Sequence, residues 1–263
     1  MGLVRVFPGV EELATAGALL VAEVLNERLA ASDVSASLVL SGGKTPQRLY
    51  SRLAQGPGGS VQWDRVDAFW GDERCVPATD PLSNYGMAAR SGLLDRSFAG
   101  IHRIPGELGP ADAAREYQTL LERMYPNQER PVFDLVLLGL GGDGHTASLF
   151  AGSAGLTESD AWVLPTEVYG GVARVTLTLP VVTSARNLVF LVAGMEKARM
   201  LRTLLAERPN MADSALPARL LLDAVSTQVK ANWPAPSVTW LLDADAASLL
   251  PADMRLDLGA SRG

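Results

Sequence analysis

The feature that most limits the fold is the alternation of short apolar runs with helical patterns along nearly the whole chain. Residues 133–138 are the most apolar run, and Leu3–Phe7, residues 37–40 and residues 65–70 read as strands of the same kind. Later strands are expected at residues 172–179, 187–193 and 238–242. Between them, Val10, Leu13, Leu20, Val24 and Leu29 recur on one helical face. Further helices are expected from about Ser83, over residues 110–125 through Ala114, Tyr117, Leu121 and Met124, and over residues 196–206. Strands this apolar have no face to give to water, so they suit a parallel sheet covered on both sides. The expected class is therefore α/β, a doubly wound, mostly parallel sheet with helices on both faces, in one domain over residues 1–263. Residues 55–60 and 209–214 read as surface loops rather than linkers.

Composition narrows the partners. A formal net charge of −6 argues against a nucleic-acid partner, which would call for a basic face. One cysteine, Cys75, excludes a disulfide framework and any Cys-rich zinc module. No apolar run approaches the roughly 18–20 residues that span a bilayer, and Glu11 and Glu12 precede the first apolar stretch. A soluble cytoplasmic protein with no membrane partner is expected. Among 23 basic residues only Lys44, Lys197 and Lys230 are lysines, which singles those positions out.

Ligands of such sheets bind beyond the carboxyl ends of the strands, and three strand ends here are unusual. The first runs Ser41-Gly42-Gly43-Lys44-Thr45-Pro46. Two glycines before a helix, with Thr45 as N-cap and Pro46 in the first turn, let backbone N–H groups converge on an anion. The nucleotide P-loop spacing fails, because it requires glycine where Leu38 stands. The second is Asp72-Glu73-Arg74 with Ser83-Asn84 beyond it, two carboxylates and an arginine suited to acid–base work and oxyanion binding, or to a plain charged turn.

The third is Gly139-Leu140-Gly141-Gly142-Asp143-Gly144-His145-Thr146-Ala147-Ser148. Gly139, Gly141 and Gly144 fit a dinucleotide pattern, but Asp-Gly-His-Thr stands where a packed helix start is expected, and Glu167 follows Pro165 with no clear strand to carry it. The turn sets an imidazole beside a carboxylate, and an aspartate can orient a histidine for base chemistry. The chain has two histidines. His102 lies in an apolar segment with no neighbouring acid but Glu107 and reads as structural, so His145 is the candidate base, with helix capping as its competing role.

Taken together, these motifs resemble the 6-phosphogluconolactonase family. The similarity continues through Arg174-Val175-Thr176-Leu177-Thr178-Leu179-Pro180, Gly194 with Lys197-Ala198, Leu216-Pro217-Ala218 and Leu241-Leu242-Asp243 with Ala246-Ala247. Lys44 and Ala151 depart from the family pattern, which more often has arginine or a smaller residue at the first position and proline at the second. The resemblance implies the fold of sugar-phosphate isomerases and deaminases, and hydrolysis of 6-phosphoglucono-δ-lactone in the oxidative pentose phosphate pathway without metal or cofactor. It implies His145 as base, with Asp143 and Asp72 as further catalytic carboxylates. Gly42, Gly43, Lys44, Thr45, Arg74, Arg174 and Lys197 would contact the phosphorylated sugar lactone. Backbone N–H groups of Gly141, Gly142 and Gly144 would face the oxyanion. Two alternatives stand beside it: a glucosamine-6-phosphate deaminase, whose catalytic glutamate has no counterpart at residues 148–152, and a non-catalytic sugar-phosphate sensor.

Overall fold

The computed structural model describes residues 2–31, 34–56, 61–205, 215–230, 234–254 and 256–257. The first half runs β1 (Leu3–Phe7), α1 (Val10–Ala30), β2 (Ala36–Leu40), α2 (Lys44–Gln55), β3 (Val66–Trp70), β4 (Asp72–Arg74), α3 (Asn84–Arg90), β5 (Gly100–His102) and α4 (Pro110–Met124). The second runs β6 (Leu135–Leu138), β7 (Val163–Tyr169), β8 (Val172–Leu177), α5 (Leu179–Thr183), β9 (Asn187–Val192), α6 (Ala198–Leu205), α7 (Pro217–Lys230), β10 (Ser237–Asp243) and β11 (Leu256–Asp257). Of the two expected loops, residues 57–60 and 209–214 lie outside the described residues, as does Ala206 at the end of the expected last helix.

Eight strands form one sheet in the order β11-β1-β10-β9-β6-β2-β3-β5, and all their pairings are parallel. Every residue of β2 and β6 is buried, so both faces are covered, as their unbroken apolar runs require. From β2 the chain winds outward through β3 to β5, then returns to β6 beside β2 and winds the other way through β9 and β10. The strand order thus reverses between β2 and β6. At such a switch point the connections leave in opposite directions, which opens a crevice at the carboxyl ends of the two strands.

The expected strand at residues 172–179 is corrected in two ways. It ends at Leu177, because Leu179 opens α5 with Pro180 in its first turn. It also belongs to a second, antiparallel sheet of order β4-β8-β7. The cause is local: Gly170 and Gly171 both take positive φ and close β7 and β8 into a hairpin. Glu167 therefore does lie on a strand, an exposed edge of the small sheet. The start of α2 is corrected too. Gly43 is its N-cap and Thr45 is already inside the first turn, where Pro46 is tolerated because no intrahelical donor is needed there. His102 has an acid after all, since Nε2 lies 2.8 Å from Asp67 Oδ1 on the neighbouring strand while the ring stacks on Phe69.

Two buried tyrosines finish the strands that border the crevice. Tyr50 of α2 accepts from the Ser41 N–H at 2.8 Å and donates to the Ser41 carbonyl at 2.9 Å. Tyr117 of α4 does the same for Trp70, at 3.1 and 3.0 Å. Each hydroxyl satisfies a backbone donor and acceptor where the chain leaves the sheet and no ladder partner continues. Burial pushes both phenols well above the ordinary tyrosine range, so both remain O–H donors at neutral pH. Tyr50→Phe strands both Ser41 groups in a buried site. It should lower unfolding stability by about 1–3 kcal/mol, read from urea denaturation, and unchanged stability would show that the clamp carries no load.

Candidate active site

A cavity of about 620 Å³ opens at the switch point. Its walls come from the loops after β2 and β6, from β4 and β8 of the small sheet, from the turn after β9, and from Asp243 at the end of β10.

The β2–α2 loop gives it an electropositive end. Gly43 lies at φ +114, and no side chain caps α2, so the helix presents its N-terminus to the cavity through Gly43, Lys44 and Thr45. Gly42 has no room for a side chain, because a Cβ there would fall 2.0 Å from Asn84 Oδ1. Ser41 Oγ is buried without a hydrogen-bond partner.

On β4 the alternation of a strand separates the two adjacent acids. Asp72 and Arg74 line the cavity, whereas Glu73 points the other way. Glu73 accepts from the N–H groups of Asn84 and Tyr85 at 2.7 and 2.8 Å and from Ser83 Oγ at 3.0 Å. It therefore anchors the N-terminus of α3, and burial pushes its carboxyl above the usual range despite those bonds. Asp72 is 4% exposed; its Oδ2 accepts from Ser148 Oγ at 2.6 Å, and its Oδ1 from Asn84 Nδ2 at 3.2 Å.

Arg74 and Arg174 face each other in the β4–β8 register. Arg74 Nη1 donates to the Leu82 carbonyl at 2.6 Å, and Arg174 lies 5.5 Å from the ring centres of Phe150 and Tyr169. The Nε of each is buried with no partner. Burial, and then the charge of Arg74, lower the pKa of Arg174, with Asp72 opposing. Arg74, Arg174, Lys44 and Lys197 form no ion pair among the described residues, whereas Arg48, also in the lining, is paired with Glu11. Four cations that form no ion pair share one lining with an orphaned hydroxyl, and Asp72 acts on Arg174 from the same wall, an arrangement suited to a multiply charged anion.

After β6 the chain makes a tight turn with no helix behind it, so the dinucleotide reading fails for want of a helix N-terminus. His145 Nδ1 lies 2.5 Å from Asp143 Oδ1, and Tyr169 Oη donates to Asp143 Oδ2 at 2.8 Å. A Cβ on Gly141 would lie 2.1 Å from His145 Nδ1, so the pair folds over that glycine. Burial raises the Asp143 carboxyl, but the bonds from Tyr169 and His145 and the His145 charge outweigh it and hold it below the usual carboxylate range. A carboxylate at Nδ1 keeps the proton there and leaves Nε2 free to accept one, the protonation pattern of a general base.

Three of the expected contacts change. The Gly141 N–H donates to the His145 carbonyl at 2.8 Å and the Gly144 N–H to the Gly141 carbonyl at 3.1 Å, so neither is free for an oxyanion. Gly142 is exposed and lies outside the lining of this cavity. His145, Asp72, Arg74, Arg174, Lys44, Thr45, Gly42, Gly43 and Lys197 all line it, and Asp143 reaches it through His145.

Two residues escaped the sequence reading as site elements. Asp243 accepts from the N–H groups of Gly194 and Ala246 and so fixes the turn that carries Lys197. Tyr169 precedes Gly170-Gly171, and that Gly-Gly pair between alternating strands is the signal that could have placed it at a hairpin end. Among the described residues, no cluster of three or more His, Cys, Asp or Glu side chains is arranged to hold a metal ion.

The chain is similar to several known proteins. A Synechocystis 6-phosphogluconolactonase is 36% identical over 219 residues, covering 81% of this chain and 84% of its own. A rat 6-phosphogluconolactonase is 34% identical over 256 residues, 95% of this chain and 94% of its own. The solved structure of 6-phosphogluconolactonase from Trypanosoma brucei superposes with a TM-score of 0.79 at 29% identity, covering 95% of this chain and 99% of that one. With the family model for glucosamine-6-phosphate isomerases/6-phosphogluconolactonase matched across residues 8–231, the chain belongs to that family.

Proposed function

We infer that the chain is a 6-phosphogluconolactonase, hydrolysing 6-phosphoglucono-δ-lactone to 6-phosphogluconate in the oxidative pentose phosphate pathway. The observation that carries this reading is one cavity lined by His145, which is paired with Asp143, by cations that form no ion pair among the described residues, and by the N-terminus of α2. An anion and a proton-transfer centre are thereby served together. A deaminase would need a carboxylate just beyond the His145 turn, where Ser148, Leu149 and Phe150 stand.

The first turn of α2, with Lys44, Thr45, Arg174 and Lys197, holds the phosphate. His145 Nε2 takes a proton from water as the oxygen attacks the lactone carbonyl carbon. The tetrahedral oxyanion is met by the positive lining around Arg74, because the Gly141 and Gly144 N–H groups are committed within their turn. Collapse breaks the bond to the ring oxygen, which receives the proton from the imidazolium. The acid product then ionises in water. Asp143 keeps the imidazole in the accepting tautomer, and Asp72 holds Ser148 and hence the turn beside it. A phosphorylated substrate does not cross membranes unaided, which puts this activity in the cytoplasm. No helix among the described residues is long and apolar enough to span a bilayer.

His145→Asn preserves hydrogen bonding at similar size but removes the base. Turnover should fall by about two to four orders of magnitude while 6-phosphogluconate binding and thermal stability hold. A folded, product-binding variant with normal turnover would exclude His145 as the base.

Lys197→Ala should raise KM for the phosphorylated lactone by about one to two orders of magnitude, the worth of one charge-assisted contact. Hydrolysis of unphosphorylated gluconolactone should change little. Equal losses on both substrates would place Lys197 at the carbonyl end or in the scaffold.

A further inference from the structure

The hairpin that carries Arg174 also brings a phenol to the catalytic turn. Tyr169 is the last residue of β7, paired with Val172 across the Gly170-Gly171 turn. Its hydroxyl donates to Asp143 Oδ2 at 2.8 Å, while Asp143 Oδ1 takes His145 Nδ1 at 2.5 Å. The two carboxylate oxygens thus serve two different partners, and the plane of the carboxylate is set between them. That second anchor matters because the Asp143 side chain is 47% exposed. Water would otherwise compete for the free oxygen and let the carboxylate rotate away from the imidazole.

Ring contacts hold the phenol in place. The Tyr169 ring stacks on Phe150 with centroids 4.0 Å apart, and it meets the His145 ring in a T-shaped contact with centroids 5.6 Å apart. Arg174 lies over the same ring. Hydrogen bonding to Asp143 and its charge also raise the pKa of the Tyr169 phenol, which keeps it a donor.

We propose that Tyr169 is a positioning residue for lactone hydrolysis, its hydroxyl fixing Asp143 so that Asp143 holds His145 in the base-competent tautomer. This rests on the reading of His145 as the base. The hydrogen-bonded series Tyr169–Asp143–His145 then joins the small antiparallel sheet to the chemistry on the parallel one. A ring that merely packed on Phe150 would need no hydroxyl, and that difference is measurable.

The test is Tyr169→Phe in the full chain, which keeps the ring stack and deletes one oxygen. Histidine 15N resonances report tautomers directly, and the chain has only two histidines to assign. His102, bound to Asp67, is the internal reference. In the wild type, His145 should show one dominant tautomer with the proton on Nδ1. In the variant its two tautomers should mix while His102 stays unchanged. Turnover should fall about two- to tenfold, the rate equivalent of one ordinary net hydrogen bond, with KM and melting temperature unchanged. Unchanged His145 resonances, or unchanged turnover, would overturn the proposal. Normal turnover in His145→Asn would instead remove the base reading, and the spectrum reads the Tyr169 link independently of that result.

Discussion

The site depends on a buried carboxylate. Asp72 sits at the start of β4, one residue beyond β3, almost out of contact with solvent, where an unsatisfied charge would be very costly. It is held by Ser148 from the His145 turn and by Asn84 from the start of α3, and it stands close enough to Arg174 to stabilise that charge. One side chain thereby ties together the parallel sheet, the antiparallel sheet and the His145 turn. Its neighbour Glu73 makes the companion attachment on the other side of the strand by anchoring α3. The two acids of this short strand thus fasten α3 and the His145 turn to it, and Asp72 does so from the cavity wall.

The division of labour between the sheets follows from their geometry. Parallel strands all end on the same side, so β2 and β6 deliver their glycine-rich loops to one crevice. Parallel strands alone do not place arginine and tyrosine side chains over that crevice. The hairpin brings Arg174 into the cavity wall and sets Tyr169 behind it against Asp143 and His145. Between the two, Ala147 is held at φ +50 in a tight turn bridged by Thr146 and Leu149. A non-glycine residue in that region is strained, and the strain falls one residue from Ser148, the contact that secures the turn to Asp72.

Much of this was legible in the sequence, for identifiable reasons. Apolar runs without polar alternation reveal a doubly covered parallel sheet, and glycines at their ends reveal where backbone must approach a ligand. All of Ser41–Pro46 lines the cavity, and from the second turn Gly139, Leu140, Gly141, His145, Thr146 and Ala147 do. The β7–β8 hairpin was not legible as a separate sheet, because residues 163–169 hold Pro165 and stand mostly outside the core, so they give no strand signal, and residues 172–177 then read as one more parallel strand. Nor could composition show that Gly141 and Gly144 would spend their N–H groups on the turn itself, since hydrogen-bond direction depends on the closed geometry. The acid beside His102 was missed because Asp67 is distant in sequence and adjacent only through strand register.

The orientation of substrate in the cavity is the central claim, and a crystal structure with bound 6-phosphogluconate tests it most directly. The phosphate should lie at the first turn of α2 with Arg174 and Lys197, and the product carboxylate should lie within about 2.6–3.2 Å of His145 Nε2. A phosphate on His145, or a product bound outside this cavity, would contradict it.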